Sequence, residues 1–243
     1  MSGWLKFFLD IIFPKNCLGC GQSNSEKNAL CQECLKTIPI NSGWFCPTCQ
    51  RRLPTPKNFC HPATGFILAA AAPFSNKAVK ETIYLLKYGK IENAVEDLTV
   101  LIDKYLEKTQ KELTNWLSEE TILIPIPLHR QKEKERGFNQ SWLLTQAAIK
   151  ILSTQNPDKF FSAEQKILER TKNTSSQTQC KNYDQRKKNI EGSFSIKNPE
   201  KIKNKTVIIV DDVFTSGATM REAIKIIKPA GAKKIMALVI AKA

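Results

Sequence analysis

Several features that would assign a function at once are absent from this sequence. No Gly-Lys-Thr or Gly-Lys-Ser triplet closes a loop, which excludes a Walker-type nucleotide site. No apolar run reaches the roughly 20 residues that a membrane-spanning helix needs. The apolar start MSGWLKFFLDIIFP has neither a basic beginning nor a small-residue cleavage site, and Lys6 and Asp10 interrupt it. We therefore expect a cytoplasmic protein without a transmembrane segment, and a peripheral position at the inner membrane face is the alternative.

Acidic side chains are also scarce relative to basic ones. The 243 residues include 37 Lys and Arg against 23 Asp and Glu, which gives a formal net charge of +14. Such an excess attracts phosphate-rich partners, either nucleic acid or a pyrophosphorylated small molecule. The length is sufficient for one α/β domain with a small additional module. The first 14 residues are predicted to form a helix that ends at Pro14 and packs on the body through Trp4, Phe8, Ile11 and Ile12.

Cysteine is plentiful, and its spacing favours metal binding over disulfides. Six of the eight cysteines form three Cys-x-x-Cys pairs in a chain that shows no secretory signal. Two such pairs separated by ten residues can place four thiolates tetrahedrally around one ion. The predicted structural Zn²⁺ site therefore consists of Cys17, Cys20, Cys31 and Cys34.

A second metal site is indicated by the third cysteine pair, with two alternatives left open. Cys46 and Cys49 are followed by Cys60 and His61, which would complete a Cys3His site, or the segment is a degenerate second ribbon. Residues 51–62 are rich in Pro, Lys and Arg and are predicted as a linker. This divides the chain into a Cys-rich module at 1–62 and a larger domain at 63–243.

The most informative stretch is KTVIIVDDVFTSGATM at residues 205–220. Four β-branched residues at 207–210 predict a strand buried on both faces, and Asp211 and Asp212 follow it directly. A polar turn between a strand and a helix is a setting for phosphate binding, while adjacent aspartates suit sugar hydroxyls or a metal. The phosphate-binding candidates are the turn residues Thr215, Ser216, Gly217, Ala218 and Thr219.

Basic residues concentrate in two further segments. After a predicted buried strand at 121–127, a basic loop with Arg136 and Gly137 precedes a helix near Asn139, which suits pyrophosphate binding. Residues 169–189 are polar, basic and nearly free of apolar side chains, which predicts a lid or binding loop. The candidate ligand-binding residues of this segment are Arg170, Lys172, Gln177 and Arg186. Two lysines near Gly89, Lys87 and Lys90, either reach an anionic ligand or stabilise the end of a helix.

Stretch 205–220 resembles the phosphoribosyl pyrophosphate (PRPP) signature of type I phosphoribosyltransferases. Together with the cysteine pairs, the segments PIPLHRQKEKERGFNQSWLL and RTKNTSSQTQCKNYDQRKKNIEGSF extend this resemblance to the ComF family of competence proteins over nearly the full length. The resemblance implies an α/β fold: a type I phosphoribosyltransferase-like parallel sheet flanked by helices, with a small N-terminal zinc-ribbon module. Ala63 departs from the pattern, because the double ribbon often has a cysteine there.

The same resemblance implies roles for individual residues and partners. Asp211 and Asp212 would accept hydrogen bonds from ribose, residues 215–219 would hold the 5-phosphate, and Arg136 with Gly137 would line the pyrophosphate loop, with Mg²⁺ accompanying PRPP. The catalytic set would be Asp211, Asp212 and Arg136. The expected partners are PRPP or another phosphorylated ribose, single-stranded DNA, and a helicase-like or DNA-processing competence protein.

Three functions remain open from the sequence. The first is Mg²⁺-dependent transfer of a phosphoribosyl group from PRPP to an acceptor, although no general base or base-recognition loop is evident. The second is nucleic-acid binding on a phosphoribosyltransferase scaffold without chemistry, which predicts a steep dependence on salt. The third is nucleotide salvage, against which the cysteine pairs and the RGFNQ segment argue.

Overall fold

The computed structural model of the chain describes residues 16–24, 28–56, 60–89, 94–173 and 189–243. The predicted N-terminal helix, Lys90, and Gln177 and Arg186 of the polar segment lie outside the described residues. Among the helices that are described, none combines the length and the apolar character required to span a membrane.

A seven-stranded sheet organises the molecule. Its strands are β1 (Trp44–Phe45), β2 (Arg52–Leu53), β3 (Ile67–Pro73), β4 (Glu120–Pro125), β5 (Phe160–Ala163), β8 (Thr206–Phe214) and β9 (Lys234–Lys242). Their spatial order is β2-β1-β3-β9-β8-β4-β5, and the five strands from β3 to β5 run parallel. A separate antiparallel pair consists of β6 (Leu168–Arg170) and β7 (Phe194–Ile196).

Helices cover both faces of the sheet, and six helices are described. They are α1 (Gln32–Thr37), α2 (Lys77–Tyr84), α3 (Ala94–Trp116), α4 (Arg130–Arg136), α5 (Gln140–Gln155) and α6 (Ala218–Ile227) within the described residues. On one face α2, α3 and α5 pack against alternate sheet residues such as Ile208 and Val210, and on the other α6 and the β6–β7 pair pack against Val207 and Ile209. The strands are apolar on both sides because both faces are covered, so the predicted α/β parallel-sheet fold is confirmed.

The Cys-rich segment continues this sheet. β1 pairs antiparallel with β2 and, through Phe45 opposite Leu68, with the edge of β3. β2 therefore lies inside residues 51–62, which the composition predicts as a linker. Buried Leu30, Leu35 and Trp44 join the core that α3 covers, so the Cys-rich segment packs closely on the larger domain. The boundary between residues 62 and 63 remains a prediction.

Three elements differ from the sequence predictions. Helix α4 occupies part of the predicted basic loop, ending at Gly137 with φ of 93°. Strand β5 lies within residues 154–165, predicted as a surface connection, because Phe160 and Phe161 pair with the edge of β4. Strand β8 extends to Phe214, since β9 pairs with it as far as Lys242. Asp211 and Asp212 therefore lie inside β8, close to its carboxyl end, and do not follow the strand.

Candidate functional site

The two aspartates of β8 occupy different environments. Asp212 is buried, and its Oδ1 lies 2.8 Å from Lys87 Nζ. Lys87 comes from a π-helical turn, Leu85–Gly89, that directly follows α2. Burial opposes the charge of Lys87, but the charge of the neighbouring Asp212 outweighs it and raises the Lys87 pKa. The second oxygen of Asp212, Oδ2, is buried and has no hydrogen-bond partner in the described part of the chain.

Asp211 is held by the start of α5. Its Oδ1 accepts hydrogen bonds from Ser141 Oγ and from the Asp212 N–H, both at 2.9 Å. Burial and the neighbouring Asp212 charge raise the Asp211 pKa to about 7. Asn139 caps α5 by accepting from the Ser141 N–H, which sets the position of the Ser141 hydroxyl. Sequence reasoning missed Ser141, although it directly follows the RGFNQ segment that drew attention.

The predicted phosphate turn leads into α6 and adjoins Asp211. Gly217 has a φ of 72°, and a Cβ there would lie 2.3 Å from Phe214 Cζ, so only glycine fits. The N–H groups of Ser216 and Gly217 donate to no acceptor among the described residues. One small pocket is lined by Asp211, Val213, Phe214, Thr215, Gly217, Ala218, Thr219 and Met220. Ser216 belongs to the same turn and Asp212 to the same strand, but neither side chain lines that pocket.

Basic side chains gather beside these acids. Burial and the charges of Arg170 and Arg136 lower the pKa of Lys132, so the two arginines lie within electrostatic range of this lysine. Burial also lowers the pKa of Arg170, while the Asp211 charge acts in the opposite direction. The predicted Arg136 and Arg170 are thus brought together, and Lys132 on α4 joins them although the sequence did not single it out. This basic cluster (Lys132, Arg136, Arg170) is suited to an anion.

Two other predicted residues take supporting positions. Gly137 ends α4 and lets the chain turn toward Asn139. Lys172 does not join the basic cluster, because its Nζ donates to the Glu191 carbonyl at 2.9 Å. Arg136 itself donates to the Gln140 side chain at the start of α5. The basic helix and the polar segment are linked by a further bond, from Asn173 to the side chain of Gln131.

The first predicted metal site is assembled as the spacing indicates. The sulfur atoms of Cys17, Cys20, Cys31 and Cys34 all lie within 4.8 Å of one another. The Cys31 and Gly19 N–H groups donate to Cys17 Sγ at 3.2 and 3.3 Å, which stabilises a thiolate. Tetrahedral Zn²⁺ with bonds of about 2.3 Å separates its sulfur ligands by about 3.8 Å, so these residues fit zinc.

A buried carboxyl supports this metal site from the larger domain. Asp97 on α3 is fully buried, and its Oδ2 accepts from the Leu30 N–H at 3.0 Å, next to the ligand Cys31. Burial raises the Asp97 pKa to about 7. Lys104, two turns further along α3, donates to the Leu35 carbonyl at 2.8 Å. Sequence reasoning missed both contacts, because nothing local marks a helix residue that bonds to a distant loop.

The four candidates for a second metal site also lie together. Cys46, Cys49, Cys60 and His61 place their ligand atoms within 4.8 Å of one another. His61 Nδ1 is 3.3 Å from both Cys46 Sγ and Cys60 Sγ, and Cys49 Sγ is 3.5 Å from Cys60 Sγ. Of the two alternatives that the sequence left open, this geometry fits a Cys3His ligand set, with histidine in place of the cysteine absent at Ala63.

Comparisons with known proteins agree with both halves of this description. The double zinc ribbon domain matches residues 8–64, and the phosphoribosyl transferase domain matches residues 148–243. Competence protein F of Haemophilus influenzae is 27% identical over 250 residues, covering 95% of this chain and 98% of that protein. Transcriptional regulator GfcR of Methanosphaera stadtmanae is 56% identical over 39 residues, which are 16% of this chain and 20% of that protein. The chain thus resembles a ComF-family competence protein over nearly its whole length, with a zinc ribbon whose cysteine clusters fit structural zinc ahead of a phosphoribosyl transferase domain.

Proposed function

We propose that the phosphoribosyl transferase domain binds PRPP, or another phosphorylated ribose, together with Mg²⁺ at the end of β8. The observation that carries this proposal is the meeting of three features at one edge of the sheet. These are an unpaired Asp212 oxygen, a phosphate turn with unengaged amides, and a cluster of three cations. They match the hydroxyls, the 5-phosphate and the pyrophosphate of the ligand.

Different residues bind different parts of the ligand. Asp211 and Asp212 accept from the ribose hydroxyls, and residues 215–219 hold the 5-phosphate through their amides and hydroxyls. Arg136, Arg170 and Lys132 face the pyrophosphate, and Lys172, Gln177 and Arg186 belong to the segment proposed to close over it. Carboxylate oxygens suit Mg²⁺, which would neutralise the charge of the pyrophosphate. Transfer to an acceptor would follow from the same arrangement, with Arg136 stabilising the leaving pyrophosphate.

A pair of lysines on α4 provides the first test. Lys132 belongs to the basic cluster, whereas Lys134, two residues away, is exposed to solvent. Calorimetric titration with PRPP and Mg²⁺ is expected to show about tenfold weaker binding for Lys132→Met, because one charge-assisted contact is lost. Lys134→Met should match the unmodified protein. Equal losses in the two variants, or no binding by the unmodified protein, would contradict the proposal.

The same titration separates binding from catalysis. Pyrophosphate release is measured with PRPP alone, with free bases and with single-stranded DNA. Release that depends on an added acceptor assigns the transferase activity. Binding without release in every mixture favours the reading in which the fold serves as a scaffold.

A second proposed role is the handling of imported single-stranded DNA during DNA uptake, with a helicase-like or DNA-processing protein as partner. It is supported by the net charge of +14 and by an aromatic row beside the site. The Phe74 and Tyr84 rings are 6.3 Å apart, and Tyr84 and Tyr88 are 6.0 Å apart. Tyr88 is 56% exposed, and it lies in the same π-helical turn as Lys87. Exposed aromatic rings next to cations suit the stacking of bases.

An exposed aromatic elsewhere provides the control for this role. Tyr88→Ala is expected to weaken binding of a single-stranded oligonucleotide about tenfold, since one stacked base contributes about 1–3 kcal/mol. Phe160 is 65% exposed and pairs with Glu120 at the amino end of β4, whereas Lys132 and Arg136 follow the carboxyl end of β4, so Phe160→Ala should have no effect. Fluorescence anisotropy at several salt concentrations makes the measurement. Affinity that does not fall with salt, or equal effects of the two variants, would count against DNA binding.

A further inference from the structure

The turn at residues 46–50, which holds Cys46 and Cys49 of the second metal site and is called the second knuckle below, contacts the phosphate turn at residues 215–217. Arg221, in the first turn of α6, donates from Nη1 to the Pro47 carbonyl at 2.7 Å and from Nη2 to the Ser216 carbonyl at 2.6 Å. Pro47 lies between Cys46 and Cys49, inside the knuckle. One guanidinium therefore bonds to the knuckle and to the turn at the same time.

A second side chain joins the same two segments. Gln50 Nε2 lies 3.4 Å from the Thr215 carbonyl, to which it donates, and Gln50 Oε1 accepts from Lys242 Nζ at 3.4 Å. Gln50 has a φ of 57°, and its N–H donates to the Cys46 carbonyl at 2.8 Å. The place of Gln50 thus depends on the conformation of the knuckle.

Close packing leaves this contact little freedom to move. The Arg221 Cζ is 5.7 Å from the centre of the Phe214 ring, at the end of β8. A Cβ added at Gly217 would meet Arg221 Nη2 at 3.0 Å. The Arg221 Nε is buried, and no acceptor for it exists among the residues described. A shift of the knuckle would therefore move the arginine against the turn.

Because peptide groups are planar, these contacts also determine the direction in which the N–H groups of the turn point. In a planar trans peptide the N–H of one residue points opposite to the carbonyl of the residue before it. The Thr215 and Ser216 carbonyls are bonded on the knuckle side, so the Ser216 and Gly217 N–H groups point away from the knuckle. These are the two amides that donate to no described acceptor.

We infer that the second metal centre sets the orientation of the phosphate turn, with Arg221 as the positioning residue that connects them. Metal occupancy at Cys46, Cys49, Cys60 and His61 and the affinity of the turn for phosphate then rise and fall together. Because linkage is reciprocal, a bound ligand also strengthens the binding of this metal, and we expect the gain to appear as slower metal loss. The ligand part of the inference rests on the proposed function, since PRPP is the probe.

A double-mutant cycle tests the connection through ligand affinity. Arg221→Met and Cys49→Ser are each expected to weaken PRPP binding with Mg²⁺ about tenfold, within the usual range of coupling between sites. Because both changes break the same connection, the double variant should be no weaker than either single variant by more than about twofold. Arg51→Met removes an exposed arginine of the same segment and should change nothing. A roughly hundredfold loss in the double variant would overturn the inference.

Zinc release measures the same connection without relying on the ligand. Release to a chromogenic chelator is followed in the intact protein, and comparison with Cys49→Ser identifies the phase that belongs to the second centre. Arg221→Met is expected to accelerate that phase several-fold, and Arg51→Met should not. Saturating PRPP should slow the phase in the intact protein but not in Arg221→Met. If the intact protein does not bind PRPP, the proposed function fails, while an unchanged release rate in Arg221→Met overturns the inference itself.

Discussion

Asp212→Asn is expected to weaken PRPP binding at least about a hundredfold. Asparagine keeps the shape of the side chain but removes the charge that we propose accepts from ribose hydroxyls, and charged hydrogen bonds contribute about 1.5–3 kcal/mol each. The change also leaves Lys87 without its ion-pair partner at a largely buried position. Breaking a buried pair costs about 3–5 kcal/mol, so the free energy of unfolding should fall as well. Calorimetry with PRPP and Mg²⁺ gives the affinity, and urea unfolding gives the stability.

A second variant separates the loss of binding from the loss of stability. Lys87→Met combined with Asp212→Leu replaces the ion pair by apolar side chains of similar size, which is often neutral for stability. The double variant should unfold like the original protein and still fail to bind PRPP. Asp158→Asn, at an exposed turn, is the matched control and should leave both quantities unchanged. Binding by the stable double variant would show that Asp212 acts only through packing.

Cys31→Ser is expected to remove zinc from the first site and lower the melting temperature by about 10 °C. The knuckle offers few apolar side chains of its own, so metal binding supplies much of its folding free energy. Without the metal, Leu30 and Leu35 would leave the core that they share with α3. Burial of such a side chain contributes about 1.5–3 kcal/mol, and 1 kcal/mol corresponds to about 2–4 °C in a protein of this size.

Hydrogen exchange locates this effect, and another cysteine controls for it. Residues 28–38 should lose protection in Cys31→Ser, since the Leu30 N–H donates to Asp97 and the Leu35 carbonyl accepts from Lys104 only when the knuckle is seated. Cys180→Ser changes a cysteine outside all three pairs and should retain the full zinc content and melting temperature. Loss of zinc without any change in melting temperature would contradict a structural role for this metal.

The zinc ribbon and the phosphoribosyl transferase domain are in direct contact within this chain. The zinc ribbon extends the edge of the transferase sheet through β1, and its second knuckle contacts the phosphate turn through Arg221. Changes in the ribbon are therefore expected to reach the ligand site. The acceptor and the partner protein are to be sought with the full chain, because part of the sheet edge belongs to the ribbon.

The elements that could be predicted from the sequence are those with a local cause. The buried strand β8 follows from its unbroken β-branched residues, and the phosphate turn follows from Gly217 between small hydroxylated residues. The first zinc site follows from the spacing of its cysteines, because Cys-x-x-Cys brings two thiolates to one turn whatever surrounds it. Strand β5 was missed because four residues at a sheet edge have too short a pattern to outweigh a polar context.

The sequence by itself determined the α/β class, the ribbon and the paired aspartates near the carboxyl end of the central strand, since each depends on neighbours along the chain. Only the tertiary structure decided how those aspartates differ. Lys87 pairs with Asp212, Ser141 reaches Asp211 across 70 residues, and Arg221 bonds to Pro47 across 174. The physical reason is that parallel strands bring distant loops to one edge of the sheet, and burial there makes each charge depend on its partners in space.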